Sequence, residues 1–506
     1  MRIKAVVAAL LIPAATAAQE PLSVIDWLND HPGTGLPGTV VMEPPVANGI
    51  VNPEIEVSPL EELAPPLGLV PSSVTGMPLD LWVASDIDDL TDHIATVPVA
   101  DSPSMQALLY SLLLSETRPP GGDAAEQLTL ARIDRLMALG AVDPAQALTR
   151  RADPMASAAL FQRWFDATLL TGEEEQSCRV LTAKPHLAPG YDARIFCTAR
   201  AGDWQTAALT LETAHALTLL PQWKLDLLDR FLSPEIYEGA PPLPAPASVD
   251  PLAYRIREAI GERLSSQDLP RAFATADLRD VAGWKAQLEA AERLTRVGAL
   301  SANQLLGLYT ERLPAASGGI WDRVDALQRF ETALGTRSPD AVAKTLPPVW
   351  SAMRRVGLGV PFAELFADPL ASQDLTDPGA VNLAWRIRLL SSAYETAAHY
   401  PPDTSEMSLF LAALAQGDPG RVEAPSDLAE AISEGFSGNV PLTGDIRRAI
   451  DDARLGEAIL MTMDLFDSGA SGNPADLANA ISAFRRMGLE DTARRASLHL
   501  MLLGHG

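Results

Sequence analysis

The sequence predicts an all-α protein, an irregular α-solenoid preceded by an extended Pro-rich arm, and three observations carry that prediction. First, from about Thr75 onward, helix-capping residues or prolines stand repeatedly just before apolar residues spaced at a period near 3.6. Second, Ala, Leu and Arg dominate, whereas the Val, Ile, Thr and aromatic alternation that marks strands is almost absent. Third, a glycine follows a basic or apolar turn at Gly140, Gly202, Gly298, Gly357 and Gly488. Glycine there is the left-handed helix stop, and an arginine beside it complements the helix dipole. The separations of 62, 96, 59 and 131 residues lie loosely near multiples of 30 to 33, the period of a helix-turn-helix repeat.

The elements follow in chain order. Arg2 and Lys4 precede an apolar run from Ala5 to Ala15, and Ala15, Ala17 and Ala18 are the small residues a signal peptidase reads. This is a secretory leader cleaved near Ala18, because the run is far shorter than the ~20 residues a spanning helix needs. A bacterial periplasmic location is the expectation, with no integral membrane segment after cleavage. Residues 19–74 are expected to form the acidic arm. Nine prolines between residues 31 and 71 forbid helix and central strand, while apolar pairs such as Val40-Val41 and Ile50-Val51 set it apart from a solvated tail. Within it, Ser23 to Asn29 can form one capped amphipathic turn that presents Trp27.

Two helical blocks follow, 75–232 and 249–506, divided by a Pro-rich linker at 233–248. Helix starts are expected near Ser85, Ser102, Asp123, Asp143, Asp153, Asp203, Pro221, Asp250, Ser301, Ser338, Pro378, Ser405, Pro425, Thr443 and Asn473. Cys178 and Cys197 are the only cysteines, and both lie equidistant from the turn Lys184-Pro-His-Leu-Ala-Pro-Gly-Tyr191. In an antiparallel hairpin such residues stand at the same height, so an oxidising compartment would join them in a disulfide.

The chain of 506 residues carries 39 Lys+Arg against 65 Asp+Glu, a formal net charge of -26. That charge is uneven. Between Lys4 and Arg118 there is no Lys or Arg and there are fifteen acids, an asymmetry that suits export. Phosphate backbones repel such a chain, so nucleic acid is not an expected partner. The seven histidines form no ligand pair, and neither a Gly-x-Ser-x-Gly elbow nor a phosphate-binding Gly-rich loop occurs, so no catalytic residue, metal or cofactor is expected.

One polar-aromatic stretch stands out as a candidate partner-binding surface: Tyr309, Glu311, Arg312, Trp321, Asp322 and Arg323, with Trp27 added from the arm. Aromatics beside arginine suit peptide recognition. The functional expectation is a non-catalytic periplasmic protein that binds envelope or periplasmic proteins. The alternative is an envelope glycan-binding protein or hydrolase that uses the solenoid groove.

Two resemblances accompany this reading. The spacing of Gly202, Ala207, Leu211 and Ala214 is similar to the second half of a tetratricopeptide repeat, whose small residues let paired helices approach closely; Ile195 departs from that pattern. The segments Thr75-Gly-Met-Pro-Leu-Asp-Leu-Trp82 and Gly307 to Arg323 look like those of uncharacterised exported α-helical proteins of Gram-negative bacteria. The first resemblance implies helical hairpins, and the second implies export without an activity.

Overall fold

The computed structural model describes residues 65–121 and 124–504, so the expected leader and most of the expected arm, Trp27 included, lie outside the described residues. Among the described residues there are 25 α-helices and no strand longer than an isolated bridge. Several of the expected helix starts are capped as read, the first by Asp86 one residue past Ser85; Ser102 and Thr443 make no side-chain cap, Asp143 lies inside a helix that starts at Val142, and Asp123 lies outside the described residues. Asp86, Asp203, Asp250, Ser301, Ser338, Ser405 and Asn473 each accept a backbone N–H of the first turn through the side chain, satisfying donors that no preceding carbonyl can reach. All five glycine stops adopt φ between +71° and +88°. Asp153 is different. It precedes proline, takes φ +62° and spends its carboxylate on the Met155 N–H at 3.0 Å, so the next helix starts later, at Ala158, capped by Ser157.

Neighbouring helices pack in pairs, and four of the buried clusters follow the chain. Helices between Phe161 and Ile256 share one apolar cluster, a smaller one joins Val142 to Ala276, the next runs from Ala274 to Leu390, and a last small one lies between Ile446 and Ala483. The largest cluster joins the two ends of the described chain, from Met77 to Leu160 with Trp385 to Leu500. Trp82 is fully buried against the start of the helix Leu455–Ala470, where a side chain at Gly456 would stand 2.1 Å from its ring. Further along, Ser104 Oγ meets His499 Nδ1 at 2.8 Å in the interior. The Thr75–Trp82 segment therefore serves packing between sequence-distant helices.

Residues 65–75, at the end of the region expected to be arm, are fixed to the helices. Leu67 and Val70 pair with Thr117 and Ser115 as bridges, and Arg132 locks the junction. Its guanidinium, only 1% exposed, donates to the carbonyls of Leu113, Ser115 and Leu67 at 2.7, 2.8 and 3.0 Å. No carboxylate faces it, and burial pushes its pKa down to about 10. The Pro-rich stretch 233–248 is also pinned: Arg230 donates to the Pro241 carbonyl, and Arg257 to those of Leu243 and Pro244. Leu225 and Leu228 before it share a core with Leu252 and Ile256 after it, so the stretch borders no gap between separate cores.

Candidate functional site

The polar-aromatic candidate of the sequence separates into an interior half and a surface half. Tyr309 has no exposed surface, and its hydroxyl donates to Glu292 Oε1. Arg323 forms a two-pronged bond to the same carboxylate at 2.8 and 2.6 Å. Burial, then the neighbouring Glu292 charge, holds the Tyr309 phenol well above its ordinary range. These groups join the helices Trp284–Thr295, Ala302–Thr310 and Ile320–Thr336. Trp321 packs on Trp284 with ring centroids 5.1 Å apart, and the Trp284 indole donates to the Leu308 carbonyl. Asp322 accepts the Gly318 N–H at 2.8 Å, bracing the Gly-Gly turn, while Glu311 and Arg312 pair with each other on the surface at 2.8 Å. Of these residues, Glu311, Arg312 and Asp322 are exposed and Trp321 is half-buried.

A second surface follows the disulfide-bonded hairpin. Cys178 and Cys197 are joined, with Cα atoms 4.9 Å apart, tying the helix Glu174–Ala183 to Tyr191–Arg200 across the turn read from the sequence. The next helix, Trp204–Ala216, buries one narrow stripe, Ala207, Leu211 and Ala214. Small residues at two of those three positions let it sit close on its partner. Its other sides face water. Leu209 is 64% exposed, Trp204 49% and, past the helix end, Leu217 61%. Trp204 continues through Phe231 at 6.0 Å toward Tyr237, over which Arg230 lies at 5.5 Å, and Ile236 beside it is 73% exposed. Asp203, Glu212, Glu235 and Glu238, close to these residues in sequence, are exposed, as are Arg194 and Arg200.

A third feature is a cavity of about 600 Å³ at the meeting of the two chain ends. The starts of four helices border it: Pro103–Leu114, Ala302–Thr310, Gly359–Ala371 and Glu490–Leu503. Met77, Leu108, Leu300 and Val360 supply its apolar wall, and Tyr110, Thr295, Arg296 and the Glu364–Arg495 pair (2.9 Å) its polar one. His499 borders it as a neutral ring, because burial and then the Arg495 charge lower its pKa to about 3.

No protein-family model, curated protein or solved structure matches this chain. The geometry alone therefore carries the functional reading. Among the described residues no cluster of three or more His, Cys, Asp or Glu side chains could hold a metal ion, and no helix is long and apolar enough to cross a membrane.

Sequence reasoning found the hairpin and missed the cavity. Its residues come from positions up to about 400 apart in the chain, and no local periodicity reports such a meeting. One signal was present. The glycine stop at 298 lines the cavity beside Tyr110, so one helix end singled out by sequence lies here.

Proposed function

We propose that this chain is a non-catalytic helical-repeat protein of the bacterial periplasm that binds another envelope protein through the outer side of the helix that follows its disulfide-bonded hairpin. The observation that carries this reading is the helix Trp204–Ala216, which buries a three-residue stripe and leaves Trp204, Leu209 and the following Leu217 in water. Isolated exposed apolar residues are ordinary, but a tryptophan and two leucines on and just past one helix, with the exposed carboxylates Asp203 and Glu212 on the same stretch, match the anchors and rim of a protein interface. The acidic rim selects a partner whose apolar ridge is flanked by lysine or arginine. Export through a leader ending near Ala18 belongs to the same proposal and is supported by the pairing of the only two cysteines, since such bonds persist in oxidising compartments.

In this reading the helical hairpins, tetratricopeptide-like at Tyr191–Ala214, form an irregular α-solenoid whose first and last helices meet, and the 19–64 arm is an extended docking segment. The bridge fixes the helix Tyr191–Arg200, on which the binding helix packs, before a partner arrives, which lowers the entropic cost of association. The test is photocrosslinking in intact cells from position 209, with position 331 as control. Adducts at 209 that disappear when Leu217 and Trp204 are changed to Glu support the proposal. Equal labelling from both positions, or none from 209, overturns it.

A further inference from the structure

A groove of about 480 Å³ opens where the described chain begins. It is lined by Pro65, Pro66 and Leu67 and by the apolar side chains of Leu128, Ala152 and Leu160, of which both leucines of the last three are buried. Most of its polar side chains are spent within the fold. Arg132 is committed to three carbonyls of the junction, Thr129 Oγ1 donates to the Ala125 carbonyl at 2.7 Å, and Glu126 accepts the Ser157 hydroxyl. Arg151 is the exception. It closes the helix Val142–Arg151, lines the groove and is exposed, and its side chain has no hydrogen bond or ion pair among the described residues.

Covalent geometry restricts what stands next to this groove. The chain advances at most about 3.6 Å per residue, so the Leu63 Cα lies within about 7 Å of the Pro65 Cα, and the Glu62 Cα within about 11 Å. Pro65 itself lines the groove. Leu63 thus has two places open to it, the apolar groove or the water at its mouth, and the hydrophobic effect favours the groove. Glu62 is the nearest acid in sequence before Pro65, and Arg151 is the groove's one cation without a partner among the described residues. Opposite charges brought to the edge of an apolar surface attract more strongly than the same pair in bulk water.

We infer that the groove is a docking site for the chain's own segment Glu62-Leu63-Ala64, with Leu63 against Leu128 and Leu160 and the Glu62 carboxylate on Arg151. The docked segment lengthens the junction that Arg132 and the Leu67–Thr117 bridge already hold. It fastens the chain to its own helices ahead of Pro65 and closes the groove to any other ligand. The inference places the last three residues of the proposed arm in cis and does not depend on the partner surface at Trp204–Ala216.

The test treats the purified chain with a glutamate-specific protease and follows the products by mass spectrometry. The readout is the rate of cleavage after Glu62 relative to that after Glu56, because a seated segment is cut only when it opens. Ala156 is exposed in the groove, so Ala156→Trp fills the space and should raise the relative rate at least about tenfold. Arg151→Glu, which removes the ion pair and adds repulsion, should raise it about fivefold. Lys344→Glu, at another exposed position, should leave it unchanged. In the parent chain labelled at leucine methyl groups, Leu63 should show magnetisation transfer to Leu128 or Leu160, lost in Ala156→Trp. A relative rate unchanged in both groove variants, or absence of Leu63 contacts with Leu128 and Leu160, would overturn the inference. So would protection that rises with protein concentration, since the occupant would then be another copy's segment.

Discussion

Arg132 offers the sharpest test of how the chain ends are held. Arg132→Met keeps most of the apolar stem and removes the guanidinium that joins Leu67, Leu113 and Ser115. Hydrogen bonds from a charged donor contribute about 1.5–3 kcal/mol each. Against them stands the burial of an unpaired cation, and the fall of its pKa to about 10 corresponds to about 3 kcal/mol. The balance leaves a net loss of about 3 kcal/mol. The loss should be local, because the affected carbonyls belong to the junction where Leu69 and Val70 donate to Leu114, and Glu116 donates to Val70. Amide hydrogen exchange at Leu69, Val70 and Glu116 is therefore the assay. Protection there should fall about 100-fold in Arg132→Met, with amides of the helix Ala302–Thr310 unchanged. Protection within a factor of three of the parent at all three amides would refute the argument.

Three further predictions follow from other interior groups. Reducing the Cys178–Cys197 bond, or making Cys197→Ser, should lower stability to urea by about 3 kcal/mol and increase proteolysis between residues 184 and 190. Asp166 is pushed up to about 7 by burial and then by Asp250, with Lys224 and Arg163 opposing. Its folded state thus holds a proton that the unfolded chain loses near pH 4, and stability falls as pH rises from about 4 to about 7. Asp166→Asn should accordingly be more stable than the parent by about 2–4 kcal/mol at pH 8 and nearly equal to it at pH 4, as read from urea midpoints. For His499 the sign is opposite. The unfolded ring takes a proton near 6.5 and the folded one only near 3, so its contribution is complete above 6.5 and is lost as pH falls. Between pH 7 and 5 the parent should lose about 2 kcal/mol relative to His499→Gln, and parallel stability curves would contradict the neutral buried ring.

Local physics made the helices legible before any coordinates. A cap needs only a short polar side chain, and a stop needs only a residue that tolerates positive φ, so Asp203, Ser301, Gly202 and Gly298 are readable one at a time. The disulfide was legible for a related reason: its geometry depends on one turn. The failure at Asp153 is equally local, since a carboxylate can satisfy a turn as readily as a helix start. Long-range packing left no such trace. Nothing in the sequence distinguishes Arg132, fully interior, from the exposed Arg312, or reports that Tyr309 and Arg323 share the carboxylate of Glu292 inside the core. Trp82 and Gly456 look unremarkable apart, yet they fit together only because Gly456 has no side chain. Recognition of the hairpin surface fell between these cases. The stripe Ala207, Leu211 and Ala214 was visible as a packing face, but that no helix covers the opposite face is a property of the fold.

The central claim is that the outer side of the Trp204–Ala216 helix meets a protein partner in the envelope. The most direct measurement places a photoreactive residue at position 209 in cells and identifies the adducts by mass spectrometry. The account predicts one dominant partner with a basic-flanked apolar contact peptide, lost in Trp204→Glu/Leu217→Glu and absent from position 331. Adducts indistinguishable between positions 209 and 331, or a contact peptide rich in acidic residues, would contradict it.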